Sequence, residues 1–183
     1  VGNGAGRTIT LGKIGDNTAA DKYLKKITLS SHANNANILK FVAASDGSHV
    51  KDILIAQGGG TVEFNKANGN FKVGTIYTLQ QNVGKVSITG KTTFDANTPI
   101  FIGEEVRPMN QLSVNNVELV LPDGSKVYAA TLEAPTNNNG TLTFSGDAIF
   151  SAATGAQQID AINVNGNGKT VKLLKTLQVN GVV

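Results

Sequence analysis

Short runs of alternating apolar and polar residues dominate the chain. They include Thr8-Ile9-Thr10-Leu11, Thr61-Val62-Glu63-Phe64, Val86-Ser87-Ile88-Thr89 and Thr141-Leu142-Thr143-Phe144. In a β-strand this alternation turns the apolar side chains to one face and the polar ones to the other. Because Gly, Asn and Asp interrupt the runs at intervals of about ten residues, the pattern predicts an all-β fold of short strands, arranged as a sandwich, barrel or solenoid.

The apolar positions of these runs define a predicted interior. It comprises Ile9, Leu11, Ile27, Leu29, Val62, Phe64, Val86, Ile88, Leu142, Phe144, Ile162, Val164, Leu177 and Val179. Near the end of the chain, an unbroken strand through Val171 and Val179 would turn Lys175 inward, and burying an unpaired ammonium is expensive. We therefore predict a bend at Leu174-Lys175-Thr176, with Leu174 facing in and Lys175 facing out, as at the corner of a solenoid coil.

The linkers are rich in Asn and Gly, which tolerate the left-handed backbone conformations of sharp turns. Pro122-Asp123-Gly124 separates two alternating runs and predicts an antiparallel hairpin. The other linkers suit a coil that winds in one sense. Asp16-Asn17-Thr18 can cap a short helix through Tyr23 and Leu24, which would cover one end of a stack, and residues 152–159 fit either a helix or a strand.

Composition narrows the functional classes. Cysteine is absent, so the chain has neither disulfides nor thiolate chemistry. The net charge of +3 comes with lysines scattered along the sequence and only 5% aromatic residues, which gives weak support for nucleic-acid binding. No apolar run approaches the length of about 18 residues that a membrane span needs. Since the chain has no initiating Met and no signal segment, we expect an excised piece of a longer protein.

Local echoes indicate imperfect internal repetition. Gly60-Thr61-Val62-Glu63-Phe64 returns as Gly140-Thr141-Leu142-Thr143-Phe144, followed by Ser145-Gly146-Asp147-Ala148 and later by Ile162-Asn163-Val164-Asn165-Gly166. This style resembles the loose repeat of autotransporter passenger domains and is most similar to rickettsial surface antigens of the outer membrane protein A and B kind. Residues 103–139 depart from it and are expected to form a hairpin-containing insertion on the stack.

The resemblance implies a right-handed parallel β-helix on the bacterial cell surface, attached to the outer membrane or secreted. It implies a single passenger-domain fragment over residues 1–183, which adheres to host cells, promotes uptake and binds a host cell-surface protein. The membrane would be reached only through a translocating β-barrel encoded elsewhere in the protein. No functional residue carries over, so we assign no catalytic, cofactor or metal residue and expect a monomer that binds no nucleic acid.

Two other functional classes stay open. A polysaccharide lyase or hydrolase on the same fold would draw its carboxylates from Asp95, Asp123, Asp147, Asp160, Glu104 and Glu105, but the chain has no Trp to form a sugar-gripping groove. A structural spacer is the other class. His32 and His49 are expected to be exposed in polar linkers, and Gly2–Gly6 and Gly58–Gly60 to serve turns. The first choice for a binding region is 103–139.

Overall fold

The fold consists almost entirely of short β-strands. The computed structural model describes residues 6–16, 22–30, 36–56, 58–135, 139–155 and 158–180. The strands are β1 (Thr8–Leu11), β2 (Leu24–Leu29), β3 (Ile38–Phe41), β4 (His49–Ile55), β5 (Thr61–Phe64), β6 (Gly69–Thr78), β7 (Val83–Ile88), β8 (Thr92–Phe94), β9 (Phe101–Ile102), β10 (Met109–Val114), β11 (Glu118–Leu121), β12 (Ser125–Glu133), β13 (Thr141–Phe144), β14 (Ala148–Thr154), β15 (Ala161–Val164) and β16 (Val171–Leu173). A single 3₁₀ turn (Ala43–Ser45) lies between β3 and β4.

The strands pair in parallel and form three ladders that run along the stack. The first ladder joins β1, β3, β5, β7, β10 and the end of β12. The second joins β2, β4, the end of β6, β9, the start of β12, β14 and β16. The third joins the start of β6 to β8, β11, β13 and β15. The chain visits these ladders in turn and forms a β-solenoid of about 6 turns, which confirms the predicted β-helix.

Apolar side chains from all three ladders fill one elongated interior. Phe41, Phe64, Phe71 and Phe94 pack ring against ring within it, with centroids 4.9 to 5.6 Å apart. Predicted interior residues of the central coils are buried, among them Val62, Phe64, Val86, Ile88, Leu142 and Phe144. On the terminal coils the prediction is wrong for Ile9 and Val164, which are each 47% exposed because no further coil covers them within the described residues.

Asparagine forms several of the corners between ladders. Asn68, Asn82 and Asn116 all have a φ of 55°, in the left-handed region that Asn adopts more readily than most residues. Each lies just before or at the start of a strand, where the chain changes direction. The predicted role of Asn in sharp turns is confirmed at these positions. Gly58, Gly59 and Gly60 also have positive φ and lead into β5, as predicted for a turn.

The Pro122-Asp123-Gly124 turn does not form the predicted antiparallel hairpin. β11 and β12, on its two sides, belong to different ladders and pair in parallel with neighbouring coils. The turn is therefore a corner of the solenoid. A hairpin does occur within 103–139, but it lies at Glu104 and Arg107. These two residues form an antiparallel β-bridge, whereas the strands of the described chain pair in parallel. The rest of the segment contributes β10, β11 and β12 to the stack.

The two copies of the Gly-Thr-Val-Glu-Phe echo occupy different ladders. Residues 61–64 form β5 in the first ladder, whereas 141–144 form β13 in the third. Both copies begin a strand and turn two apolar side chains inward. The echo therefore marks strand starts and not equivalent positions on successive coils.

The predicted bend near the C-terminus is present. β16 ends at Leu173 and the backbone bends at Lys175, whose side chain faces out and whose Nζ lies 3.3 Å from the carbonyl oxygen of Ala129. Leu174 is exposed, so its predicted inward orientation is wrong. Neither proposed helix appears in the described residues: Leu24 begins β2, Ala152 lies in β14, and residues 17–21 and 156–157 lie outside the described ranges.

Candidate functional site

The candidate catalytic carboxylates are distributed over corners and a hairpin, and one pair of them meets. Asp123 and Asp147 lie at the same corner of successive coils, where Lys169 Nζ is 3.3 Å from one carboxylate and 3.6 Å from the other. Asp95 accepts a hydrogen bond from the amide of Asn97 in its own turn, at 3.0 Å. Asp160 is exposed beside β15, and Glu104 and Glu105 belong to the hairpin.

The Asp123 and Asp147 carboxylates act as links between coils. Asp123 Oδ1 accepts the amide of Asp147 at 2.6 Å, and Asp147 Oδ1 accepts the amide of Thr170 at 2.7 Å. The amide of Asp147 and then Lys169 lower the pKa of Asp123, and Asp123 in turn raises the pKa of Lys169. A general acid needs the opposite, a raised pKa, so this geometry suits a structural corner better than glycoside hydrolysis.

An Asp-Gly-Ser motif forms equivalent corners on two coils. Ser48 Oγ donates to the carbonyl oxygen of Ser45 at 2.5 Å and accepts the amide of Ile14 at 3.0 Å. Ser125 Oγ donates to the carbonyl oxygen of Pro122 at 2.7 Å and accepts the amide of Ile100 at 3.3 Å. Both hydroxyls are buried. The motif was visible at 46–48 and 123–125, and its recurrence is the signal that would have identified the corner.

The turn between β9 and β10 is a small hydrogen-bonded hairpin, which we call the hairpin tip (Glu104–Arg107). Backbone hydrogen bonds of 3.2 and 3.1 Å close it, and the Arg107 guanidinium binds the Glu104 carboxylate with an Nη2 to Oε2 distance of 2.5 Å. Gln81 Nε2 donates to the carbonyl oxygen of Val106 at 2.9 Å and ties the tip to the preceding corner. Val106 is 68% exposed and Leu79, on that corner, is 54% exposed.

The outward side of the second ladder collects lysines that are far apart in sequence. We call this surface the basic face. Its charged residues are Lys25, Lys26, Lys51, Lys72, Lys126 and Lys172, with Asp52 as the acid among them. By contrast, the strand segments of the first ladder carry Lys40 and Lys85 against Glu63 and Glu133. The lysines that appear scattered in the sequence are therefore concentrated on one side of the solenoid.

Aromatic side chains accompany the lysines on the basic face. Tyr77, Phe101 and Tyr128 are half-buried there, each next to a buried apolar residue of the same strand. Lys26 Nζ lies 5.7 Å from the centroid of the Tyr77 ring. Burial, and then the charge of Glu105, raise the pKa of Tyr128. Two tyrosines that are separate in sequence thus share a surface.

His49 does not lie in an exposed linker. It is the first residue of β4, it is buried, and its ring packs against Tyr23 with centroids 5.1 Å apart. Its Nδ1 is buried without a hydrogen-bond partner. The prediction of an exposed linker position is wrong because His49 itself pairs in register with Lys72 of β6. His32 lies outside the described residues.

The described residues contain neither a metal-binding cluster nor a membrane-spanning helix. In the described ranges, no three His, Asp or Glu side chains are grouped so that they could hold a metal ion. The same residues contain no helix with the length and apolar character of a membrane span. Comparison with protein-family models, with curated proteins and with solved structures finds no match to the chain. The resemblance to rickettsial surface antigens therefore stays a prediction.

Proposed function

We propose that this chain is a non-catalytic fragment of a bacterial surface passenger protein that mediates adhesion to host cells, and with it uptake. The protein would be displayed at the outer membrane or secreted, and its translocating barrel would lie elsewhere in the polypeptide. The hairpin tip would bind a host cell-surface protein. The β-solenoid scaffold supports this proposal because it is a stiff stack that can hold a small contact surface in a fixed orientation.

The observation that carries the proposal is a pair of exposed apolar side chains, Val106 on the hairpin tip and Leu79 on the corner that Gln81 joins to it. Between the two terminal coils, Leu79 and Val106 are the exposed large apolar side chains of the described chain. Interface energy is usually concentrated in a few such side chains surrounded by polar groups. Here Glu104, Glu105 and Arg107 supply the polar rim, and the hydrogen bonds of the tip hold it in one conformation before any partner arrives.

Point substitutions at the tip test this proposal, because deleting 103–139 would remove three strands of the stack. We expect Val106→Asp to reduce binding of the purified fragment to cultured host cells about tenfold or more, since it places a charge in the centre of the contact. Val164→Asp is the matched control, because Val164 is also exposed but lies on β15 at the end of the stack. Equal binding by the two variants would contradict a role for the tip.

The alternatives predict different results. A structural spacer would not bind host cells at all, and Val106→Asp would then have nothing to reduce. A polysaccharide-processing enzyme would release new reducing ends or unsaturated sugars when incubated with glycans, and that activity would fall in Asp123→Asn and Asp147→Asn variants. The engagement of both carboxylates by backbone amides and Lys169 supports the non-catalytic proposal over this rival.

A further inference from the structure

We propose that the basic face binds an anionic polysaccharide, a sulfated or carboxylated glycan chain lying along the axis of the stack. This inference does not rest on the hairpin tip or on the adhesive role proposed above. It rests on three features of the second ladder: unpaired lysines, their alignment along the stack, and the aromatic rings between them.

The lysines of the basic face are free to bind an anion. The ion pairs of the described chain use Lys13, Lys40, Lys66, Lys91, Arg107 and Lys169, and none of these residues belongs to the basic face. Lys25, Lys26, Lys51, Lys126 and Lys172 are exposed and Lys72 is half-buried. Asp52 lies next to Lys26 in register without forming an ion pair within 4.0 Å. The lysines of the basic face therefore lack carboxylate partners, whereas Lys40 in the first ladder has one.

Three of these lysines stand in one column. The register runs from Lys26 through Asp52, Thr75 and Phe101 to Lys126, and then through Ile149 to Lys172. At about 4.8 Å per strand, the column is about 29 Å long, and Lys126 and Lys172 are about 10 Å apart. An extended polymer with a charge on successive sugar units can meet such a row, whereas a single small anion would use only one lysine.

The aromatic rings favour a sugar polymer over other polyanions. Sugar rings have apolar C–H faces that can pack on half-buried rings such as Phe101, which lies directly between Thr75 and Lys126 in register. Single-stranded nucleic acids stack successive bases on several rings, whereas the lysine column itself contains one aromatic residue, Phe101. A membrane surface would require exposed apolar side chains among the lysines, and between the terminal coils of the described chain the outward strand positions of the basic face carry no large apolar side chain that is exposed.

Equilibrium binding to heparin oligosaccharide, measured at low and high NaCl, tests the proposal. We expect the fragment to bind heparin with an affinity that falls steeply as salt increases. The combined substitutions Lys26→Gln, Lys126→Gln and Lys172→Gln should weaken binding about tenfold or more and flatten the salt dependence. The matched control replaces Lys40, Lys85 and Lys91 with Gln, which removes the same charge from the rest of the stack. Far-ultraviolet circular dichroism verifies that both variants keep the fold.

The outcomes separate the possible ligands. Equal weakening in both triple variants would overturn the proposal, because net charge alone would then explain binding. Equal or tighter binding of single-stranded DNA or of phosphatidylserine vesicles, compared with heparin, would overturn the assignment to a polysaccharide. Phe101→Ala provides the second readout: a weaker heparin affinity with an unchanged salt dependence supports packing of sugar on the ring, and no change contradicts it. None of these measurements depends on host-cell binding by the hairpin tip.

Discussion

Replacing Phe64 with Ala is the most direct test of the shared interior. Phe64 is fully buried, and its ring stacks on Phe41 of the preceding coil at 4.9 Å between centroids. It also meets Phe71 and Phe94, each at 5.2 Å. Phe94 belongs to the next coil in the third ladder. One side chain therefore connects three coils, and its removal leaves a cavity bordered by three rings.

The expected cost follows from that environment. Truncation of a buried Phe to Ala lowers the free energy of unfolding by about 3 to 5 kcal/mol. That range already includes lost contacts, and because Phe64 loses three ring pairs, each worth about 0.5 to 1.5 kcal/mol beyond simple burial, we expect Phe64→Ala in its upper part, at about 4 to 5 kcal/mol. Such a loss is a large part of a typical domain stability of about 5 to 15 kcal/mol. Phe64→Leu keeps most of the apolar volume and should cost about 1.5 kcal/mol.

Urea unfolding followed by circular dichroism measures this difference, with Phe101→Ala as the matched control. Phe101 is also a strand phenylalanine, but its side chain is on the outward side of β9. We expect the control to cost no more than about 1 kcal/mol. If Phe64→Ala and Phe101→Ala lowered the midpoint equally, the interior described here would not be what holds successive coils together. Coinciding transitions by fluorescence and circular dichroism would establish that one free energy describes the unfolding.

Three further predictions concern corners and charges. Ser125→Ala should cost about 1 to 3 kcal/mol in urea unfolding because it leaves the buried Ile100 amide without its acceptor, while the Pro122 carbonyl keeps the amide of residue 125 as a donor. Ser113→Ala, on an outward position, should cost about 0.5 kcal/mol or less. Gly124→Ala should cost about 1 to 2 kcal/mol in the same assay, because φ at Gly124 is +76°, a left-handed conformation that is unfavourable for Ala. A Cβ added there would make only ordinary van der Waals contact with Pro99, so no steric clash adds to this cost. Hydrogen bonds from Lys91 and Thr143 lower the pKa of Glu118 from its ordinary value of 4.5. The ionised carboxylate therefore stabilises the fold above pH 4.5, and this stabilisation is lost as the pH falls through the pKa of Glu118 in the folded protein. Glu118→Gln should therefore flatten the decline of the urea midpoint below pH 4.5.

The sequence was sufficient for the class of fold because alternation is a local property. Val62 and Phe64 had to face the same side of a strand whatever paired with them. Pairing is not local, and Pro122-Asp123-Gly124 illustrates the difference. Its turn chemistry fits a hairpin, but the Asp123 carboxylate and the Ser125 hydroxyl bond to adjacent coils and make it a corner. Only the register of the whole stack distinguishes these two structures.

The basic face was missed for a related reason. Lys26, Lys126 and Lys172 have no common spacing in sequence, because successive coils differ in length and, within the described residues, the third ladder begins only at β6. Lysines that are scattered along the sequence therefore give no indication that they share one side of the stack. Parallel stacking converts irregular sequence separations into regular spatial ones, since each strand sits directly on the one before it.

The charge distribution of the outer surface supports a functional explanation. A β-solenoid is stabilised by its interior and its corners, so outward strand positions can vary freely. In the first ladder, Lys40 forms an ion pair with Glu63 at 3.0 Å. Burial raises the pKa of Glu63, but the Lys40 ammonium and the hydrogen bonds from Asn65 and Thr89 outweigh burial, so that the pKa is lowered. In the second ladder like charges accumulate without partners, which weakens the folded state. A bound polyanion would remove that repulsion, so heparin should raise the unfolding temperature of the wild-type fragment and should have less effect on the variant lacking Lys26, Lys126 and Lys172.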